Sequence, residues 1–310
     1  MSVDDPQKQR RPMPEADALA LLERCSNRGR WGLDDEMGTL NYITPEVRLR
    51  ALRTVTLGRV ISIGKDLDGV VSSRNPRPFI HRMLHMGYGD RTVSTDVTEI
   101  APHGFSVTHM DALGHIYVEG AMYNGRRAED EVGASGLGFG SIMAAKEGVV
   151  TRGVLLDVAG SRGVDWLGPD EEIWPDDLEE AESWAGVRVE SGDAVVVRIG
   201  LSAREAVEGP EDPSRRAGLM LECVPWLHER QAAVYTGDCF ERLPSTYPRL
   251  GSPVHQVGFS ALGLSILDIP ELEELAAVCR EVGRHEFLLT YAPLRIPGGT
   301  GSAVNPLCIF

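Results

Sequence analysis

The sequence predicts an α+β protein: a sheet-rich core with flanking helices. Three observations carry that expectation. From Arg59 onward short β-type runs recur, namely RVISIG (59–64), RTVSTDVTEI (91–100), GFSVTHM (104–110), GVVTRGVLLDVAG (148–160) and DAVVVRIG (193–200), with turn residues between them. Helical spacing of apolar residues appears over Ala16–Cys25, Gly218–Arg230 and Glu271–Val282. Hydrophobic residues make up 42% and charged residues 25% of the chain, the balance of an ordinary globular protein with enough apolar surface for a large core.

The elements follow in order. Residues 1–15 are polar and proline-bearing, and are expected to form a mobile arm ahead of one domain spanning 16–310. After the first helix, Arg30 to Asn41 is a glycine-punctuated loop. Thr44-Pro45-Glu46 reads as an N-cap with proline at the first helical position, opening a helix through Arg53. The stretch from Gly168 to Gly186 is the most acidic, and Pro175-Asp176-Asp177 places acids in the first turn of a helix with a solvated face. VHQVGFSALGLSILD (254–268) alternates short apolar runs with glycines, and Gly298 to Ser302 reads as a turn or a wall of a site.

Charge and composition exclude several functions. A formal net charge of −15, with basic residues clustered only as pairs such as Arg126-Arg127 and Arg215-Arg216, argues against nucleic acid as a partner. No apolar run approaches the roughly 20 residues that span a bilayer, and the first residues lack the apolar segment of an export signal. Five cysteines at irregular spacing (Cys25, Cys223, Cys239, Cys279, Cys308) suit a reducing cytoplasm and read as small buried hydrophobes. The expected partner is therefore a small-molecule substrate, met in the cytoplasm.

The chemistry concentrates in Thr108 to His115. His109 and Asp111 are two apart, so along a strand imidazole and carboxylate face one side. Such a pair supplies nitrogen and oxygen ligands for zinc, manganese or iron, or else an acid/base couple. His115 follows after Gly114 as a candidate proton shuttle.

Several stretches together resemble the cyclase family of hydrolases that includes kynurenine formamidase and isatin hydrolase. Thr108, His109, Asp111 and His115 fit its pattern H-x-G-T-H-x-D-x-P-x-H, with Tyr123-Asn124-Gly125 following. Trp31 to Asn41 is similar to its W-G-x-x-D-E-x-G-T-L-N loop, Gly192 to Gly200 to its G-D-x-v-l-v-R-t-G strand, and Pro293 to Pro306 to its closing segment. The resemblance implies a swivelling β/β/α domain, usually a homo-oligomer. It also implies hydrolysis of a cyclic or aryl amide or a lactone by a metal-activated water. It makes His109 and Asp111 ligands of Zn or Mn together with His255 and Asp268, and His115 the acid/base. Trp31 would then contact substrate or anchor its loop, and Asp238 would be a catalytic or a capping residue.

The departures fall within the motif. Phe105 stands where the family has its first histidine, Val107 where it has glycine, and Leu113 where it has proline. Phe105 and His103 are then expected to face substrate. On a straight strand His103 would lie about 20 Å from His109 at roughly 3.3 Å per residue, and only a bend at Gly104 would return it. A metal-free site stays open for this reason. In it His109, Asp111 and His115 would serve a cyclase, lyase or isomerase, or the scaffold would bind a small molecule without turnover. His81 and His85 are expected on a loop at the surface or in a substrate channel, His228 at an exposed helical position, and His285 at a helix end.

Overall fold

The structure, a computed structural model, describes residues 10–90 and 92–310. Its longer helices are α1 (Glu15–Arg24), α2 (Pro45–Leu52), α3 (Pro175–Ala185), α4 (Leu201–Glu208), α5 (Cys223–Glu229), α6 (Pro253–Val257) and α7 (Glu273–Val282). The longer strands up to the middle of the chain are β1 (Val60–Ser62), β2 (Ile80–His85), β3 (Thr95–Glu99), β4 (His109–Asp111) and β5 (Val149–Asp157). Those that follow are β6 (Ala194–Arg198), β7 (Val234–Gly237), β8 (Ser265–Asp268), β9 (Glu286–Tyr291), β10 (Gly301–Ala303) and β11 (Leu307–Ile309).

One nine-stranded sheet runs β1-β11-β9-β5-β6-β7-β8-β4-β10. Its centre, β5 to β8, is parallel, and antiparallel strands extend it on both sides. A central parallel sheet is covered on both faces, which its sequence anticipates by reading as continuous apolar runs. In β6 the run Ala-Val-Val-Val divides accordingly: Val195 and Val197 enter one core with α1, α3 and α5, while Ala194 and Val196 enter the other with α2 and α7. This is the α+β frame that the sequence predicts.

Local signals in the sequence act where they stand. The Thr44 hydroxyl accepts from the Val47 amide at 3.3 Å and opens α2. The Asp177 carboxylate accepts from the Trp174 amide at 2.7 Å, and Gly186 closes α3 at φ +65°. Of the arm expected over residues 1–15, the first nine lie outside the described residues. From Arg10 the chain is pinned: that guanidinium meets Asp176 at 2.7 Å and Asp177 at 2.9 Å, and the Met13 amide reaches Glu222 at 2.7 Å.

Three local expectations are corrected. His81 and His85 stand on β2, which among the described residues pairs with β3 in an exposed hairpin, and Gly87 and Gly89 fall after the strand rather than within it. The strand expected over 104–110 is confined to His109–Asp111, since Gly104 takes φ +126° and turns the chain before it. The helix expected from Gly218 begins only at Cys223; Gly218 and Leu219 form a short parallel pairing instead.

His285 also differs from expectation. It follows α7 and its cap Gly283 (φ +64°), where a charge would favour the helix dipole. It is instead buried edge-on to Trp184, with ring centroids 5.1 Å apart, and neither ring nitrogen has a hydrogen-bond partner among the described residues. Burial holds its pKa below the ordinary value. The folded chain therefore resists protonating His285 while the unfolded chain accepts the proton near pH 6.5, so stability is full above about that pH and declines below it. In urea titrations His285→Leu is expected to flatten the fall in unfolding free energy between about pH 7.5 and 5.5. An unchanged slope would show that other groups carry it.

Candidate active site

Strand β4 lies between β8 and β10. Its His109 pairs with Asp268 on one side, and its Asp111 pairs with Gly301 on the other. Residues directly opposite in an antiparallel pair point to the same face, so His109, Asp111 and Asp268 converge, while Met110 and Leu267 enter the core behind. His109 Nε2 lies 3.3 Å from Asp111 Oδ1 and 3.8 Å from Asp268 Oδ2. From α6, His255 brings its Nε2 to 3.7 Å from Asp268 Oδ2.

Gly104 adds a further imidazole. At φ +126° it occupies backbone space that side chains rarely allow, and the turn there returns His103 to the cluster. His103 Nδ1 lies 2.8 Å from Asp111 Oδ1, and its ring stacks on His115 with centroids 3.6 Å apart. The straight-strand separation is thus overturned by one residue. Gly301 completes the approach, since a Cβ there would sit 2.7 Å from His103 Cε1.

Each imidazole next to the carboxylates is tethered by its other nitrogen. His109 Nδ1 donates to the Val107 carbonyl at 2.7 Å, and His103 Nε2 contacts Thr300 Oγ1 at 2.9 Å. His255 Nδ1 donates to Glu241 at 2.9 Å, and the same carboxylate accepts from the His255 amide at 3.1 Å. Such tethers fix the tautomer and leave the other nitrogen able to bind a cation. The free nitrogen of His103, with Asp111 Oδ1 and Asp268 Oδ1, is buried without a hydrogen-bond partner among the described residues. His103 Nδ1 and Asp111 Oδ1, 2.8 Å apart without a hydrogen bond, lie slightly closer than the roughly 3.0–3.4 Å that separates two ligands of one ion at bond lengths of about 2.0–2.1 Å. Two triads meet the geometry for a cation, His103-His109-Asp111 and Asp111-His255-Asp268, sharing Asp111.

Electrostatics agree. Burial opposes ionising Asp111, yet the adjacent ring nitrogens of His103 and His109 and the charge of His109 and His115 hold its carboxyl far below the ordinary range. Burial likewise opposes charging His109, and Asp111 and Asp268 outweigh it, raising its pKa to about 9. His255 is raised by Glu241 and Asp268 against the same penalty. His115 goes the other way, down to about 4, through burial and the neighbouring imidazoles. No hydrogen bond among the described residues occupies its ring nitrogens, so it stands neutral and available.

The cluster opens onto a cavity of about 150 Å³ that Phe105, Ile116, Arg216, Phe240 and Leu243 also line. Phe105 therefore faces the cavity, and its ring lies under the Arg216 guanidinium at 4.6 Å. Trp31 does not line it; its ring packs edge-on to Tyr42 at 5.0 Å, within the second core layer. Asp238 caps α4 from β7, accepting from the amides of Ile199 (2.7 Å), Gly200 (3.0 Å) and Leu201 (2.9 Å). Glu241 and Arg216 have no signal in the sequence, since each reaches the site from a segment without a spacing of its own. His103 had one, the adjacent glycine.

Residues 42–241 match the family model described as putative cyclase. The crystal structure of a novel cyclase is similar over 92% of this chain and 99% of that one, at 31% identity and a TM-score of 0.82. Isatin hydrolase A from Labrenzia aggregata, bound to benzyl benzoate, shares the fold over 81% of this chain and 93% of its own, at 20% identity and a TM-score of 0.58. An isatin hydrolase bound to the product analogue thioisatinate does so over 86% and 98%, at 15% identity and 0.59. No curated protein matches the sequence.

Gly104→Ala isolates the bend. The added Cβ meets no atom within 4 Å, so the only penalty is backbone strain of about 1–3 kcal/mol, which the loop relieves by moving His103. Titration calorimetry is expected to show Zn or Mn binding weakened by about 10–100-fold with far-UV circular dichroism unchanged. Wild-type affinity in this variant would remove His103 from the site.

Proposed function

The chain belongs to the putative cyclase family, and from that premise we propose that it hydrolyses a compact cyclic or aryl amide, or a lactone, at a divalent-cation site. The observation that carries the reading is the convergence of three tethered imidazoles on carboxylate oxygens that lack hydrogen-bond partners. His103, His109, Asp111, His255 and Asp268 would hold the ion, Zn or Mn by their mixed nitrogen and oxygen donors. When bound, such an ion polarises a carbonyl and lowers the pKa of water to about 7.

The remaining work belongs to the chain. Asp111, common to both triads, keeps the ligand set in one place, and Glu241 keeps His255 in the tautomer whose Nε2 is free. The apolar rings of Phe105 and Phe240 shield the reacting carbonyl from bulk water. His115, neutral beside the cluster, takes a proton from the attacking water and passes one to the leaving nitrogen or oxygen. Water adds to the carbonyl carbon, the amide or ester bond breaks, and a carboxylic acid and an amine or alcohol result.

The metal-free reading rests on the histidine missing at 105. His103 supplies an imidazole by another route, which weakens that ground.

Protein purified without chelators is expected to carry at least one Zn or Mn per chain by elemental analysis, and Asp111→Ala to lose it. His115→Ala is expected to keep the metal and lose turnover by about 10²–10⁴. Full turnover in metal-free protein would refute the proposal.

A further inference from the structure

One charged group opens onto the cavity without belonging to the imidazole–carboxylate cluster. Arg216 is 4% exposed. Its backbone is fixed by a two-way bridge to Leu243, with N–O distances of 3.0 and 2.9 Å. Its Nε donates to Glu211 Oε2 at 2.7 Å, and its guanidinium carbon lies 4.6 Å from the Phe105 ring centroid. The other oxygen of Glu211 is taken by buried Arg204. No hydrogen bond among the described residues uses either Nη of Arg216, and neither Nη is sealed from solvent. The residue is thus buried on every side except the one that lines the cavity.

Arg74 pairs with Glu205, while Arg204 and Arg216 share Glu211; the buried Glu241 carboxylate, which lines the same cavity, acts on Arg216 through charge and leaves its outer nitrogens without a hydrogen-bond partner among the described residues. A guanidinium held by one nitrogen and one ring presents its outer N–H pair as a fixed fork, the geometry that accepts a carboxylate through two parallel hydrogen bonds. Ile116, Phe105, Phe240 and Leu243 supply apolar lining between this fork and the cluster. A cavity of about 150 Å³ has the size that admits one benzene ring.

We propose that Arg216 is an anion subsite that receives the carboxylate of a single-ring-sized substrate, holding its scissile carbonyl against the His109–Asp111 cluster. The proposal rests on this cavity being the substrate site, as proposed above, but not on which reaction occurs there.

The test is calorimetric binding of benzoate and of benzamide to the full chain as purified. Benzoate is expected to bind at least about 10-fold more tightly than benzamide, the scale of one good charge-assisted pair. Arg216→Met, checked for fold by circular dichroism, is expected to lose that preference. Should Arg216→Met fail to fold, Arg216→Lys keeps a charge against Glu211 but not the fork, and its benzoate affinity is expected to fall several-fold with benzamide unchanged. Equal affinities in the wild type overturn the proposal. So does a benzoate preference that survives in folded Arg216→Met, which would place the anion on the cluster or its ion, or unchanged binding of both ligands in Arg216→Lys. Absence of hydrolysis in any assay would refute the reaction and leave this binding result standing.

Discussion

Burying the Asp111 carboxylate on the face of a sheet costs several kcal/mol unless positive charge meets it there. The surroundings are arranged around that requirement. His109 reaches it along the same strand, His103 across the bend at Gly104, and Asp268 adds a second carboxylate that increases the demand. Glu241 adds a third beneath His255. Arg216 offsets part of the charge of Glu241, and the raised pKa values of His109 and His255 express the demand of the remaining carboxylate charge for protons or a cation. Protons and a divalent ion compete for the same nitrogens, so an ion entering here displaces protons from them.

The sheet supplies the rigidity. Asp111 and His109 are on β4 and Asp268 on β8, strands locked by a register that leaves no freedom in which face each side chain takes. A slip of one residue would send Met110 and Leu267 into the site and His109, Asp111 and Asp268 into the apolar core. The two-sided burial of the sheet therefore protects the chemistry: Met110 and Leu267 behind the site hold the register that places the polar groups in front of it.

This division explains what was legible in the sequence. A period of two makes His109 and Asp111 neighbours on any strand, so their pairing needs only the strand. Asp268 and His255 came from resemblance alone, because cross-strand partners are separated in the chain by the loops between them. His103 depended on the bend at Gly104: distance along an extended chain is a poor guide next to a glycine, whose positive φ cancels several residues of extension at once. His285 failed, since its position after a helix suggested solvent while Trp184, remote in sequence, buries it.

Arg216 and Glu241 were invisible for a further reason, which separates the site into two kinds of residue. His109, Asp111 and Asp268 on strands are fixed by sheet register, and the binary pattern of a strand announces the first two. Wall residues on connecting segments are fixed by single contacts: Arg216 by its bridge to Leu243, and Glu241 by the amide and ring of His255. Neither contact imposes a periodicity on the chain around it. The His109, Asp111 and Asp268 side chains are thus placed where the fold is most constrained, and Arg216 and Glu241 where single buried contacts hold them.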